Sequence, residues 1–154
     1  MISKQKAVLL AELKQARENL WAALEPIDPD TEIYPGWKKR DFFAHIGGWE
    51  ALVFGAFRDF LAGVPGQGRF PWGGLDEANA HFVGVRKSMT LTDTKLECEI
   101  TRYAIERMLL DLPAEDYEKM VELPWKSEPI DRFLQGAINH ERRHTDDICK
   151  IGKG

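Results

Sequence analysis

The sequence predicts an all-α fold, an antiparallel four-helix bundle with one long crossover that carries a short extra helix. Three observations predict it: apolar residues recur at steps of three and four in four long runs, no segment alternates with a period of two, and prolines or capping residues bracket the runs. At 154 residues the chain is expected to form one domain, 1–154, burying roughly 70% of the surface its unfolded form exposes.

The first run, Ser3 to about Leu24, places Leu9, Leu13, Ala16, Leu20 and Leu24 on one stripe with charged and amide residues between them. It stops at Glu25-Pro26, because proline lacks a backbone donor and disfavours helical geometry in the residue before it. Pro29 and Pro35 keep Ile27 to Gly36 as a connector. The second run starts after Trp37 and reaches about Leu61, with Phe42, Ile46, Trp49, Val53 and Phe57 on its stripe, and reads as the most buried element. Its glycines, Gly47, Gly48 and Gly55, each cost about 1 kcal/mol of helix propensity, which points to close approach of another backbone.

From Gly63 to Gly74 the sequence GVPGQGRFPWGG lacks the GK[ST] ending of a phosphate-cradling loop and reads as a crossover. Leu75, Ala78, Phe82, Val85 and Met89 mark the short helix. Thr90-Leu91-Thr92-Asp93 has the form of a capping box, and Leu96, Ile100, Ala104, Met108 and Leu112 carry a longer helix to Pro113. After Leu123-Pro124-Trp125, Ser127 is the expected N-cap of a last helix that runs to about Ile151, with Glu128 and Asp131 at its positive end.

Composition narrows the function. Twenty-one Lys and Arg against 25 Asp and Glu give a net charge of -4, without the basic field that nucleic-acid or anionic-membrane binding requires. No apolar run reaches ~18 residues, and Met1 to Lys6 has no signal-peptide core, so neither membrane insertion nor export is expected. Cys98 and Cys149 lie far apart, outside any CxxC spacing, as packing residues of a cytoplasmic protein. An acidic domain with so apolar a second helix is expected to pair as a homodimer.

The last helix carries the most informative feature. Its stripe reads Ile130, Phe133, Ala137, His140, His144, Ile148 and Ile151, so two histidines take consecutive core positions. At i and i+4 they lie about 6 Å apart on one face. Burying both without partners costs free energy and protonating both adds repulsion; a divalent ion removes both problems. The alternative is two histidines at a wet helix end. His45, near the stripe of the second helix, can face the same interior, and three imidazoles suit Zn, Ni or Fe(II) while leaving a position open for water or substrate. His81 is left over as a surface or pocket-rim residue. Asp41 and Asp147 are candidates to accept the second ring N–H of a ligand histidine. His140-Glu141-Arg142-Arg143-His144 also matches H-E-x-x-H, but no third ligand of the glycine-containing pattern follows and the sheet that accompanies such a helix has no sequence support, so peptide hydrolysis is rejected. Glu141 is then expected to be a partly exposed acid beside an arginine. Trp37, Trp49, Phe42 and Phe57 either line a pocket around the ion or are plain core, and no serine or cysteine nucleophile emerges.

The segment Gly36-Trp37-Lys38-Lys39-Arg40-Asp41-Phe42-Phe43-Ala44-His45 and the closing stretch Asn139 to Ile148, with its H-x-x-x-H, resemble the DinB/YfiT-like superfamily over the whole chain. The resemblance implies a metal triad of His45, His140 and His144 at one end of a four-helix bundle. It also implies kinship with metal-dependent hydrolases, thiol-cofactor-dependent transferases and the mycothiol-dependent maleylpyruvate isomerase. Gly48-Trp49-Glu50 resembles the related ClbS/DfsB-like branch, which often departs from that triad. Two classes of function remain open. One is an enzyme acting on a small molecule through a Zn or Ni ion open to substrate, either as a hydrolase or as a transferase using a low-molecular-weight thiol. The other is a non-catalytic, stress-associated or binding module in which the ion is structural.

Overall fold

The computed structural model describes residues 2–66 and 70–151. Five α-helices and one small hairpin follow in order: α1 (Ile2–Leu24), α2 (Lys39–Ala62), α3 (Leu75–Val85), α4 (Leu91–Asp111), a 3-10 turn (Ala114–Glu118), β1 (Met120–Glu122), β2 (Ser127–Pro129) and α5 (Ile130–Ile151). Among the described residues no helix is long and apolar enough to cross a membrane. The fold is mostly helical, as expected.

Local chemistry sets the helix ends. Gly63 closes α2 with φ +67°, where a side chain would be strained, and its N–H and that of Val64 reach back to Phe60 and Asp59. Thr90 opens α4, its hydroxyl accepting the Asp93 N–H at 3.1 Å. At the start of α2 the bond runs the other way, the Asp41 carboxylate in the third helical position accepting the N–H of the capping residue Lys38 at 3.1 Å. The short helix ends at Val85, four residues before Met89, because the Gly84 to Met89 backbone turns to reach Thr90.

The expected start of the last helix is corrected. Ser127 is not an N-cap but the first residue of β2, which pairs antiparallel with β1, Val121 opposite Glu128. Pro129 disfavours helical geometry at Glu128, so the chain stays extended until Ile130. A strand of three residues is too short to show an alternating pattern.

Packing follows the predicted stripe on α1, where Leu9, Leu13, Ala16, Leu20 and Leu24 are all buried, and α2 is indeed buried along most of its length. On α4 the stripe is corrected: Leu96 (48% exposed) and Ile100 (60%) face outward, while Thr94, Cys98, Arg102, Ile105 and Leu109 face inward. On α5 the inward set is Ile130, Leu134, Ile138, Glu141 and Ile148: Ile130 and Ile148 are as predicted, and between them Leu134, Ile138 and Glu141 each lie one position after the predicted Phe133, Ala137 and His140.

The apolar interior is two clusters. One holds Leu9, Leu13, Val53, Phe57, Ile105, Leu109, Leu134 and Ile138; the other holds Leu20, Leu24, Phe42, Ile46, Cys98 and Ile148. Reading cluster membership along each helix gives its direction. Helices α1 and α5 pass from the first cluster to the second, and α2 and α4 pass the other way. The close pairs α1 with α5 and α2 with α4 therefore run parallel, which corrects the antiparallel expectation for these pairs. The long Gly63-to-Thr90 connection makes this possible by returning the chain to the starting end before α4 begins.

Of the three α2 glycines, Gly48 meets a hard constraint. A Cβ there would lie 2.2 Å from Phe82 Cγ, so the ring of α3 seats directly on the α2 backbone. Gly47 faces Glu97 and Cys98 at ordinary contact distance, and Gly55 meets nothing within 4 Å, so the close approach expected there is absent. Gly48→Ala is expected to lower stability by about 1–3 kcal/mol. Chemical denaturation of Gly48→Ala, Phe82→Ala and the double variant checks it: the two losses should be strongly less than additive.

The reading of Gly63 to Gly74 as a crossover falls partly on residues 67–69, which lie outside the described residues. Around them, Phe70 stacks on Trp49 at 6.0 Å between ring centroids and Trp72 meets Phe82 edge-on.

Candidate metal centre

His45 comes from the second turn of α2, and His140 and His144 come from the middle of α5. The structure brings them together: ring centroids of His45 and His144 are 5.8 Å apart, and those of His140 and His144 are 4.4 Å apart. His45 is buried and His144 half-buried; His140 is exposed at the edge of the group. That last point corrects the predicted core position of His140. The ring of Trp37 covers His45 at 4.8 Å, and Phe42 meets His144 edge-on at 5.1 Å.

Hydrogen bonds fix the tautomers of two rings. Asn79 of α3 accepts the Trp49 indole N–H at 2.7 Å, and indole only donates, so the atom there is Oδ1. The same oxygen lies 2.9 Å from His45 Nδ1, which must then carry the proton and donate it. On the other side Tyr34 donates its hydroxyl hydrogen to Asp147 at 3.0 Å, which leaves the tyrosine oxygen to accept from His144 Nδ1 at 2.7 Å. Both imidazoles therefore present an unprotonated Nε2. Both of these Nε2 atoms are buried and have no hydrogen-bond partner. A held Nδ1–H and a bare Nε2 lone pair are what a ligand histidine needs.

The donor set thus fits a divalent ion in chemistry and protonation state. Its closure is incomplete, since among the described residues no group of three His, Cys, Asp or Glu side chains is already drawn together around one point. His140, exposed and one turn before His144, is the side chain with freedom to rotate inward.

Electrostatics also keep the rings neutral. Burial lowers the His45 pKa to about 4, with the Asn79 bond opposing and His140 adding to the shift. Burial, then the neighbouring His140 and His45, lowers His144 to about 3. Desolvation and Arg143 lower His140 as well. In ion-free protein the unfolded chain takes up protons near pH 6.5 that the folded chain refuses, so stability is full above about pH 6.5 and falls as pH drops towards 4. For buried His45 alone the loss amounts to about 3 kcal/mol. Urea denaturation between pH 7 and 5, above the carboxylate range, should show this slope, and it should flatten above pH 7.

Several predicted roles change. Asp41 caps α2 and pairs with Arg40, and no hydrogen bond joins it to a histidine. Asp147 makes no hydrogen bond to His144 and reaches it through Tyr34, while its charge opposes the lowering of the His144 pKa. His81 is exposed against Trp72 and Phe82, at the surface as expected. Cys98 is buried, its thiol raised to about 12 by burial, whereas Cys149 is exposed and not a packing residue. Phe42 and Phe57 are core, and Trp49 lines a cavity.

That cavity, about 500 Å³, opens beside the histidines and includes His45 and His140 in its wall. Trp49, Trp125, Phe133 and Leu134 form its apolar side. Its charged side holds Glu141, which is 4% exposed and not the surface acid expected from the sequence. Arg17, Glu50, Arg102 and Glu141, one each from α1, α2, α4 and α5, form a buried network: Arg17 reaches Glu141 at 2.6 Å and Arg102 reaches Glu50 at 2.8 Å, with Arg17–Glu50 and Arg102–Glu141 pairs closing it. Burial alone would lower the Arg17 pKa, but Glu50 and Glu141 outweigh it and raise it; burial alone would raise Glu141, but Arg102 and Arg17 outweigh it and lower it. Held this way, Glu141 cannot serve as the base of an H-E-x-x-H protease.

The sequence reading missed Tyr34, Asn79 and this network. The network had a signal: Arg17, Glu50 and Arg102 each sit three or four residues from buried apolar neighbours on both sides, at core spacing, and Glu141 sits three residues after Ile138. Tyr34 and Asn79 had none, since both reach the histidines from segments distant in sequence.

No protein-family model matches the sequence, and no curated protein matches it either. Three solved structures share its fold. An uncharacterized protein of Clostridium difficile 630 superposes with a TM-score of 0.78 at 20% identity, covering 96% of this chain and 95% of the other. A protein of Streptococcus pneumoniae superposes at 0.76 and 19% identity, covering 96% and 90%. A protein described as sibling lethal factor precursor DfsB superposes at 0.75 and 22% identity, covering 96% and 95%. At these identities the likeness establishes that the chain shares their helical fold over nearly its whole length.

Proposed function

We propose that the chain is a DinB/YfiT-like four-helix-bundle protein of the cytoplasm, that His45, His140 and His144 hold one divalent ion, Zn or Ni, and that a small molecule bound in the adjoining cavity is its substrate. One observation supports this above others: the rings of His45 and His144 lie 5.8 Å apart between centroids, and each has a buried Nε2 lone pair without a partner while its Nδ1 is held in place. When bound, such an ion supplies Lewis-acid activation, of water in a hydrolase or of a low-molecular-weight thiol in a transferase.

The residues of the chain do the positioning. Asn79 orients His45, and Tyr34, backed by Asp147, orients His144. Trp49, Trp125 and Phe133 exclude water from one wall and give a substrate an apolar surface. A second reading, a binding module whose ion is structural, draws on His45 and His144 bridging α2 and α5 while His140 stands exposed.

Turnover separates the readings. Ion-loaded protein is assayed against ester and amide substrates, and against electrophiles with bacillithiol, mycothiol or glutathione. The enzyme reading expects turnover that disappears on chelation and returns with the ion, thiol-dependent for a transferase and thiol-independent for a hydrolase. Ion-dependent melting without turnover across both panels favours the structural reading.

A further inference from the structure

The charged side of the cavity has features that the ion does not use. Arg17, Glu50, Arg102 and Glu141 are each more than nine-tenths buried, and all four line the cavity. Their ion pairs run through one oxygen of each carboxylate, Oε1, and the Nη2 of each arginine, and Nε of Arg17 and of Arg102 also donates, to Glu141 at 3.2 Å and to Glu50 at 2.9 Å. One nitrogen of each guanidinium and one oxygen of each carboxylate stay bare. Nη1 of Arg17 and of Arg102, and Oε2 of Glu50 and of Glu141, are buried without a hydrogen-bond partner. Two cations against two anions make the cluster neutral, yet it holds both unused donors and unused acceptors. Leaving charged groups partly unsatisfied where they are buried is costly, so a group that enters the cavity and completes them is favoured.

We infer that this cluster recognises the polar end of a small molecule, and that this end is an uncharged group bearing both a hydrogen-bond donor and an acceptor, of the primary amide or urea type. Such a group accepts from a guanidinium Nη1 through its carbonyl and donates to a carboxylate Oε2 through its N–H, adding no charge. A carboxylate brings a third anion beside Glu50 and Glu141, and an ammonium brings a third cation beside Arg17 and Arg102. Either leaves net charge in a poorly solvated site. The rest of the ligand is apolar or flat, since Trp49 and Trp125 meet edge-on at 5.2 Å beside the cluster and Phe133 continues that wall. A cavity of about 500 Å³ holds such a molecule. The inference rests on reading the cavity as the substrate pocket of the proposed function and does not depend on the ion.

Indole-3-acetamide, indole-3-acetate and tryptamine test it, because they share one ring and differ mainly in the charge of the terminal group. Binding of each to the full chain is measured by titration calorimetry and ligand-observed NMR at pH 7, with ion-loaded and with chelator-treated protein. The acetamide is expected to bind about tenfold or more tightly than the other two in both preparations. In Glu50→Gln, whose cluster carries one net positive charge, the gap between acetamide and acetate should narrow by about tenfold. In Arg102→Gln the gap to tryptamine should narrow in the same way. Circular dichroism checks that each variant folds, and the three-probe comparison on the parent stands without them. Equal binding of the three probes, no binding at millimolar concentration, or an unchanged preference in folded variants overturns the inference. A preference present only with the ion assigns selectivity to the ion and also overturns it. Protein that takes up no ion yet keeps the preference sinks the metal reading alone.

Discussion

If the proposed site holds a divalent ion, His144→Ala is expected to lower its affinity by two or more orders of magnitude, about 3 kcal/mol, and His45→Ala to do the same. These two rings present the buried, unprotonated Nε2 atoms, and each is the fixed point of its side of the site. His140→Ala also costs affinity, but through loss of a ligand that must first turn inward from an exposed position. Because burial holds His45 and His144 far below their ordinary pKa, these two are already deprotonated at neutral pH, and the ion displaces few protons from them there. Asn79→Ala and Tyr34→Phe leave the ligands in place and weaken their orientation, which for such supporting groups costs about 10–100-fold. Elemental analysis of untagged protein and competitive titration with a chelator measure the series. His81→Ala serves as the control and should match the parent. Equal ion content in the parent, His45→Ala and His144→Ala would exclude the site.

The largest expected loss of stability comes from Glu141→Ala, at about 3–5 kcal/mol and on the order of 10 °C in melting temperature. The substitution leaves Arg17 and Arg102, both buried, sharing a single carboxylate, Glu50. The double variant Arg17→Met with Glu141→Leu restores the balance, one cation against one anion, and replaces the lost pair with apolar volume. It should therefore recover much of the stability lost by Glu141→Ala, since a buried ion pair is worth little more than a well-packed apolar replacement. Calorimetric melting of the two variants against the parent measures the difference. Loss no larger than that of an exposed control such as Arg142→Ala would show that the network is not held as described.

The place of this network explains where sequence reading succeeded and where it stopped. On each of the four long helices the charged residue separates the two apolar clusters: Arg17 between Leu13 and Leu20, Glu50 between Ile46 and Val53, Arg102 between Cys98 and Ile105, Glu141 between Ile138 and Ile148. A periodicity count scores hydrophobic residues, so it is blind to four inward-facing charges: on α5 the middle of the apolar stripe lies one position from the inward face, and on α4 Leu96 and Ile100 face outward while Met108 and Leu112 meet the core. On α1 it was right because apolar residues occupy the whole stripe apart from Arg17.

The sequence by itself determined the helices, the Thr90 cap of α4 and the presence of three histidines that two helices could bring together. These properties are local: they depend on residues within a turn or two, on proline and glycine geometry, and on i to i+4 spacing. Tertiary structure alone decided the rest. The parallel pairing of α2 with α4 depends on how a long connection is routed, and the hairpin before α5 on pairing between two three-residue strands. The tautomers of His45 and His144 depend on Asn79 and Tyr34, which lie 34 residues after His45 and 110 residues before His144. Whether a charged side chain lies in water or in the core depends on whether an opposite charge stands across from it, and that partner comes from another helix.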